Sequence, residues 1–416
     1  MGLARVLGCV SGFAFAMLWS SVATSMGQQN EFHVSTLTGG GGYYSAAFAS
    51  DGRHLAVIAS MGSREEQGSE ITEGIQIWDF RGTKLISEKV LSRKKSSPDV
   101  PYHEIALYGY TPSGSMILLG RNNHLLLIDS RTLDEIREII LATGNWHNIL
   151  WPAIGFSFVK GVAVDRSGDR AAVLLQWGLG GGGELRVYNL NSGELIRSWD
   201  YHSLRKTNDR HADFGGADIS ADGRQVTVSV IPFVLGEGVL HFWDRNVFVL
   251  DIDSGSTVAA FNTGYPAGEV RFAPTAPPVL LTVSADSFDR RRSPKDAIKV
   301  WDPVSGKLLR ELASPGGGVH FQVQVSSDGH IVLGYTGAEK FEGHWWLGEE
   351  ENGFVAYDKF SLWDLARGNV IASSPQIKPS ESHRNFLLSP SGDVVLLYPE
   401  TAGGETLTLY ELRRTP

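Results

Sequence analysis

The residues of this chain best equipped for chemistry are four histidines and their acidic neighbours. They are His103 next to Glu104, His211 two residues before Asp213, and His320 and His383. An imidazole beside a carboxylate can relay protons, and several together can ligate a metal ion. The same side chains could equally hydrogen-bond loop carbonyls or water. They are scattered from position 103 to position 383. Only a fold that returns repeatedly to one place can bring them together.

A second set suits recognition rather than catalysis. Trp146 and Trp151 lie in the stretch 144–156, Trp243 in 231–246, and Trp345 and Trp346 in 336–358, ahead of Glu349, Glu350 and Glu351. Tryptophan in an exposed loop anchors a protein partner or stacks on a sugar. It also serves to fill a small core where loops cap one another, and both readings stand at this level. Arg205 and Arg210 in one connection, and Arg291 within Arg290–Arg292 in another, are either solvated charges or a docking point for an acidic partner or carboxylate.

Other chemistries lack their motifs. There is one cysteine, so neither a disulfide framework nor a cysteine-based metal site can form. No Gly-x-Ser-x-Gly elbow or His-Glu-x-x-His pair occurs. The runs Gly39–Gly42 and Gly180–Gly183 lack the Lys-Ser/Thr of a phosphate loop and read as flexible turns. Asp251–Gly255 begins like a calcium loop but lacks the acid at its twelfth position. Arg93-Lys94-Lys95 reads as a solvated basic loop. The net charge of −9 argues against a nucleic-acid partner. No cofactor is expected from any motif, and metal content is left open.

Residues 1–30 carry a single charge, Arg5, then an apolar run from Val6 to Trp19 and small residues to Ala23. This is the pattern of a secretory signal, cleaved between positions 23 and 27. The run is too short for a membrane span, so the mature chain is expected to have none and to be periplasmic or extracellular.

The elements that must position these residues are repeats. Glycine is 48 of 416 residues, about 12 % against a usual ~7 %, which argues for many turns. One anchor is a tight turn ending in glycine: Ser50-Asp51-Gly52, Pro112-Ser113-Gly114, Arg166-Ser167-Gly168, Ala221-Asp222-Gly223, Ser327-Asp328-Gly329 and Pro390-Ser391-Gly392. Pro274-Thr275-Ala276 is a degenerate copy. Apolar residues four and six places before each anchor read as a strand entering a hairpin. A second anchor pairs an aromatic or aliphatic residue with an acid or amide: Trp78-Asp79, Ile128-Asp129, Tyr188-Asn189, Leu250-Asp251, Trp301-Asp302, Trp363-Asp364 and Tyr410-Glu411. The repeat is about 55 residues long. Each unit reads as four short strands, a to d. The seventh stops after strand c, and Glu31–Leu37 at the other end supplies its missing strand d. That exchange closes a ring and removes an open edge.

Three of the second anchors are Trp-Asp, and the units resemble the blades of WD-repeat proteins and of YVTN-type secreted bacterial propellers. The Gly-His element that opens a WD blade is missing. The resemblance implies an all-β fold in which residues 31–416 form one domain: a seven-bladed β-propeller of four-stranded antiparallel blades. Function follows from it only loosely, because propellers host binding proteins and enzymes alike.

Spacing narrows the choice. The a–b and c–d turns are constant in length, while all variation falls in the b–c and d–a connections, which share one face of a ring. Variable loops on a rigid scaffold are where binding sites sit. The expected function is therefore non-enzymatic recognition of a protein or carbohydrate by a monomer, through that face. The alternative is a lactonase-like or quinoprotein-dehydrogenase-like enzyme using the histidines at the channel mouth.

Overall fold

The computed structural model describes residues 32–61, 70–95, 105–121, 124–141, 159–176, 183–200, 203–204, 212–232, 245–265, 267–284, 297–313, 319–338, 357–375, 377, 384–399 and 404–413. Every interior gap in that series is a b–c or d–a connection.

Among the described residues, twenty-seven strands form seven blades. Blade one holds the second half of β1 (Phe32–Phe48), then β2 (His54–Met61), β3 (Glu70–Asp79) and β4 (Lys84–Lys95). Blade two holds β5 (Ile105–Tyr110), β6 (Met116–Arg121), β7 (His124–Asp129) and β8 (Glu135–Ile140). Blade three holds β9 (Val159–Val164), β10 (Arg170–Gln176), β11 (Gly183–Asn189) and β12 (Leu195–Asp200). Blade four holds β13 (Ala212–Ile219), β14 (Gln225–Pro232), β15 (Val247–Asp251) and β16 (Thr257–Phe261). Blade five holds β17 (Ala267–Ala273), β18 (Val279–Ser284), β19 (Ala297–Trp301) and β20 (Leu308–Ala313). Blade six holds β21 (Val319–Val325), β22 (Ile331–Ala338), β23 (Tyr357–Asp364) and β24 (Asn369–Ser373). Blade seven holds β25 (Arg384–Leu388), β26 (Val394–Pro399) and β27 (Gly404–Leu412).

The fourth strand of blade seven is the first half of β1. Phe32 through Thr38 pair antiparallel with Leu412 through Thr406, and Gly42 through Phe48 then pair with β2. The ring is closed by strand exchange between its termini, as the repeat count requires. Gly39–Gly42 is therefore not a turn. It lies inside one continuous strand, where the chain passes from the outer edge of one blade to the inner edge of the next. Arg93-Lys94-Lys95 is likewise not a loop but the end of β4.

Apolar patterning follows from packing. Seven buried clusters lie one at each blade–blade interface. Middle strands are covered on both faces, so β7 reads His-Leu-Leu-Leu-Ile-Asp with its four central residues buried. Outermost strands are half covered, so β8 buries only Ile139 and leaves Ile136 and Ile140 exposed. The second-anchor residues all pack toward the preceding blade: Trp78 in the blade seven–one core, Trp301 in four–five and Trp363 in five–six. Trp301 Nε1 donates to Thr282 Oγ1 at 2.9 Å, and Trp78 Nε1 to Gln76 Oε1 at 3.2 Å. These buried indoles thus keep the polar partner that burial demands.

Candidate functional site

Most of the residues that the sequence nominates fall in the b–c and d–a connections. Trp146, Trp151, Trp243, Trp345, Trp346, Arg205, Arg210, Arg291, His103, Glu104, His211 and His383 lie outside the described residues. Two nominated residues are on strands. Asp213 is in β13, opposite Ile231, and His320 is in β21, opposite Thr336. The register of His320 matches Tyr43, Ile105, Val159, Phe214 and Ala267 in the other blades, all at most 3 % exposed within blade–blade cores. β25 begins one residue after His383, so the innermost strands of blades six and seven are neighbours in the ring, as the repeat register requires. Two loop limits are also revised. β22 runs to Ala338 and β23 starts at Tyr357, which shortens the blade-six loop to 339–356. Asn246, assigned to a loop, is buried: its amide donates to Thr263 Oγ1 at 2.9 Å and accepts from Thr263 N at 3.0 Å.

The face opposite these loops is built of the constant turns, and its polar groups are engaged in forming them. In the a–b turns the anchor glycines sit at φ between +64° and +80°, where a side chain would strain the backbone. In the c–d turns the acid or amide of the second anchor accepts N–H groups two and three residues on. Asp129 Oδ1 takes Arg131 N at 2.9 Å and Thr132 N at 2.8 Å, and Asn189 Oδ1 takes Asn191 N and Ser192 N at 2.8 and 2.9 Å. Backbone N–H bonds from Thr132 and Arg131 hold the Asp129 carboxyl below its ordinary range. The aspartate of the Trp-Asp pair is thus a turn-former here, as Asp302 shows through Val304 N at 2.8 Å.

Basic side chains tie the outer strands together. Arg137 of β8 donates to Ser192 O at 3.0 Å. Arg197 of β12 donates to Asp253 O at 2.6 Å, and Arg310 of β20 to Ala366 O at 2.6 Å. Each reaches the c–d turn of the following blade. Each stands eight residues after its anchor acid or amide, a spacing visible in the sequence. At the seam, Arg81 of blade one bonds both Asp393 and Glu411 of blade seven at 2.8 Å.

The innermost strands carry a polar belt that the sequence reading missed. Ser45 Oγ accepts Leu107 N at 3.1 Å, from blade one to two. Tyr108 OH donates to Val159 O at 3.2 Å, from two to three, and Lys160 Nζ donates to Phe214 O, from three to four. Asp218 accepts Phe272 N at 2.7 Å, from four to five, and Glu269 accepts Val323 N at 2.7 Å, from five to six. Gln324 accepts Leu388 N and donates to Phe386 O, both at 2.7 Å, from six to seven. Six of the seven junctions are hooked this way among the described residues.

The belt is most charged at blades four and five. Arg271 donates through Nε and Nη2 to Glu269 Oε1, at 3.0 and 2.6 Å. Asp218 stands on β13, the innermost strand of blade four, and is part-buried there. Burial pushes its carboxyl up to about 6, against the opposing pull of the Arg271 charge and the Phe272 and Ile219 N–H groups. Among the described residues no group of three His, Cys, Asp or Glu is arranged to hold a metal ion, and no helix is long and apolar enough to cross a membrane.

No family model matches the chain, and no curated protein matches it. Solved structures do. The β-propeller domain of Cps50 (Swd1) from Myceliophteria thermophila is 12 % identical, covers 92 % of this chain and 100 % of its own, and superposes with a TM-score of 0.56. Hydrazine synthase from Kuenenia stuttgartiensis is 15 % identical, with coverages of 69 % and 71 % and a TM-score of 0.46. At these identities the likeness concerns fold alone. Strand exchange, seven blade–blade cores and superposition with the Cps50 (Swd1) β-propeller domain agree that the chain folds as a WD-repeat-like seven-bladed β-propeller.

Proposed function

We propose that this is an exported, non-enzymatic recognition propeller that binds a protein or carbohydrate partner through the face carrying its b–c and d–a connections. One observation carries the reading: every variation in unit length falls on one face of a rigid disc, while the other face is made of seven a–b turns and six c–d turns of near-constant length. The charged groups of the inner wall add support, because they are engaged in holding blade to blade. Trp146, Trp151, Trp243, Trp345 and Trp346 are the anchors of the proposed contact, with Arg205, Arg210 and Arg291 favouring acidic groups. Export rests on the 1–30 segment, and the monomeric state on the closed ring.

The test is a glycan array and a cross-linking screen with the mature protein, repeated with W345A/W346A. Loss of binding at unchanged thermal stability supports the reading. A partner cross-linked to the a–b and c–d turns instead would overturn it.

A further inference from the structure

Besides the loop face, the circumference of this disc offers a place for another chain to join. The circumference is made of seven outermost strands, and one of them differs from the rest. β4 is 12 residues long, whereas β8, β12, β16, β20 and β24 have five or six. It pairs with β3 over ten registered positions, so blade one carries a hairpin that outruns the others. At ~3.3 Å per residue, its edge is about 40 Å long. Among the described residues no strand pairs with the outer side of β4.

Charge sets it apart as well. β4 holds five basic residues and one acid, Glu88, in a chain whose net charge is −9. No other outermost strand is net positive. Lys89 is drawn to Leu133 O and Asp134, and Arg93 has only an exposed contact with Glu70 at 3.8 Å. Ile86 and Val90 lie 49 % and 43 % exposed on the same strand. Beside β4, a cavity opens between blades one and two, lined by Leu91, Leu119 and Leu126 and by the charged Lys89, Arg121 and Glu135.

We infer that β4 is a docking edge for an extended acidic segment of a partner protein, which adds to blade one as a fifth strand. Backbone pairing along the edge supplies affinity, and alternate side chains supply specificity. An aliphatic side chain on the blade-two side has this partly apolar cavity to enter. The basic residues select the occupant. A second copy of this chain would set lysine against lysine across the new ladder, which is unfavourable, whereas glutamates of an added strand meet Lys84 and Lys89 on one face or Arg93 on the other, as the register with β3 divides them. The surface is distinct from the loop face, so the two proposals stand or fall separately.

The experiment uses the mature protein and two fluorescent ten-residue probes, one alternating valine with glutamate and one alternating valine with lysine. Anisotropy titrations are paired with hydrogen exchange. The glutamate probe is expected to bind, to weaken as salt rises, and to protect β4 amides. K84E/R93E/K95E should weaken it at least tenfold, about 1.4 kcal/mol, and favour the lysine probe. If that variant misfolds, K84Q/R93Q/K95Q should still show a partial loss. A glutamate probe N-methylated at alternate backbone amides should not bind. The inference is overturned if the glutamate probe fails to bind, if the N-methylated probe binds as well, or if protection appears away from β4.

Discussion

Replacing Trp301 tests the claim that the second anchors are core residues rather than a recognition feature. Its side chain is 5 % exposed in the core between blades four and five. The ring lies 5.0 Å from that of Phe261 and packs in the cluster with Val247, Val249 and Leu280. Truncation to alanine removes this contact and leaves a cavity, at a cost of roughly 3–5 kcal/mol. About 1 kcal/mol of that belongs to the indole hydrogen bond to Thr282. Thr282 Oγ1 is not orphaned, because Tyr265 OH remains 3.0 Å away. Trp301→Phe should therefore cost only about 1–2 kcal/mol, the hydrogen bond plus a modest shape mismatch. Urea unfolding followed by fluorescence and circular dichroism gives both values, provided that the two probes coincide. Trp345→Ala is the contrast: if Trp345 serves the proposed partner contact rather than a core, it should cost under about 1 kcal/mol. The reasoning fails if Trp301→Ala is tolerated within 1 kcal/mol, or if phenylalanine is as damaging as alanine.

Four further outcomes follow from the same geometry. Deleting residues 31–38 strips blade seven of its outer strand, including the fully buried Leu37, and should lower the melting temperature of the whole ring; an unchanged melting curve would disprove the strand exchange. Gly215→Ala drives a Cβ into Ala267 O, so a backbone shift between blades four and five is unavoidable and stability should fall by roughly 1–3 kcal/mol. Asp218 holds its proton more tightly in the folded chain than its ordinary value of 3.8 allows; its contribution is full below that value and is lost as the pH rises through about 6, so stability should decline across this window, and Asp218→Asn should flatten the decline in denaturation curves taken from pH 4 to pH 7. Arg81→Ala breaks both ion pairs at the seam, but these are partly exposed and screened, so the loss should stay under about 1 kcal/mol and shrink in high salt.

Much of the architecture was legible because it is local and repeated. A tight turn needs a residue at positive φ, and Gly52, Gly114, Gly168, Gly223, Gly329 and Gly392 mark that need wherever the chain runs. The acid or amide of the first six second anchors accepts a backbone N–H within three residues of itself, so its spacing to the next strand cannot drift. Burial on both faces writes continuous apolar runs such as that of β7. A seventh unit lacking a strand, with a spare alternating segment at the other terminus, leaves ring closure as the way to cover both edges. The local rule has two exceptions: Thr83 and Leu133 take the left-handed position that glycine holds in other c–d turns.

What tertiary structure alone decided lies between units. Ser45, Tyr108, Lys160, Asp218, Glu269 and Gln324 do the same task with five kinds of chemistry and at shifting offsets from their turns, each reaching a partner 51 to 64 residues away. A hydrogen bond to a backbone group asks nothing of the partner's side chain, so no pairing pattern is left in the sequence. The raised proton affinity of Asp218 likewise depends on enclosure by blade five, beside Arg271 and Glu269. The role of Gly39–Gly42 shows the same limit: a glycine run is compatible with a turn or a strand, and only the pairing of β1 with both β27 and β2 makes it the passage that closes the ring.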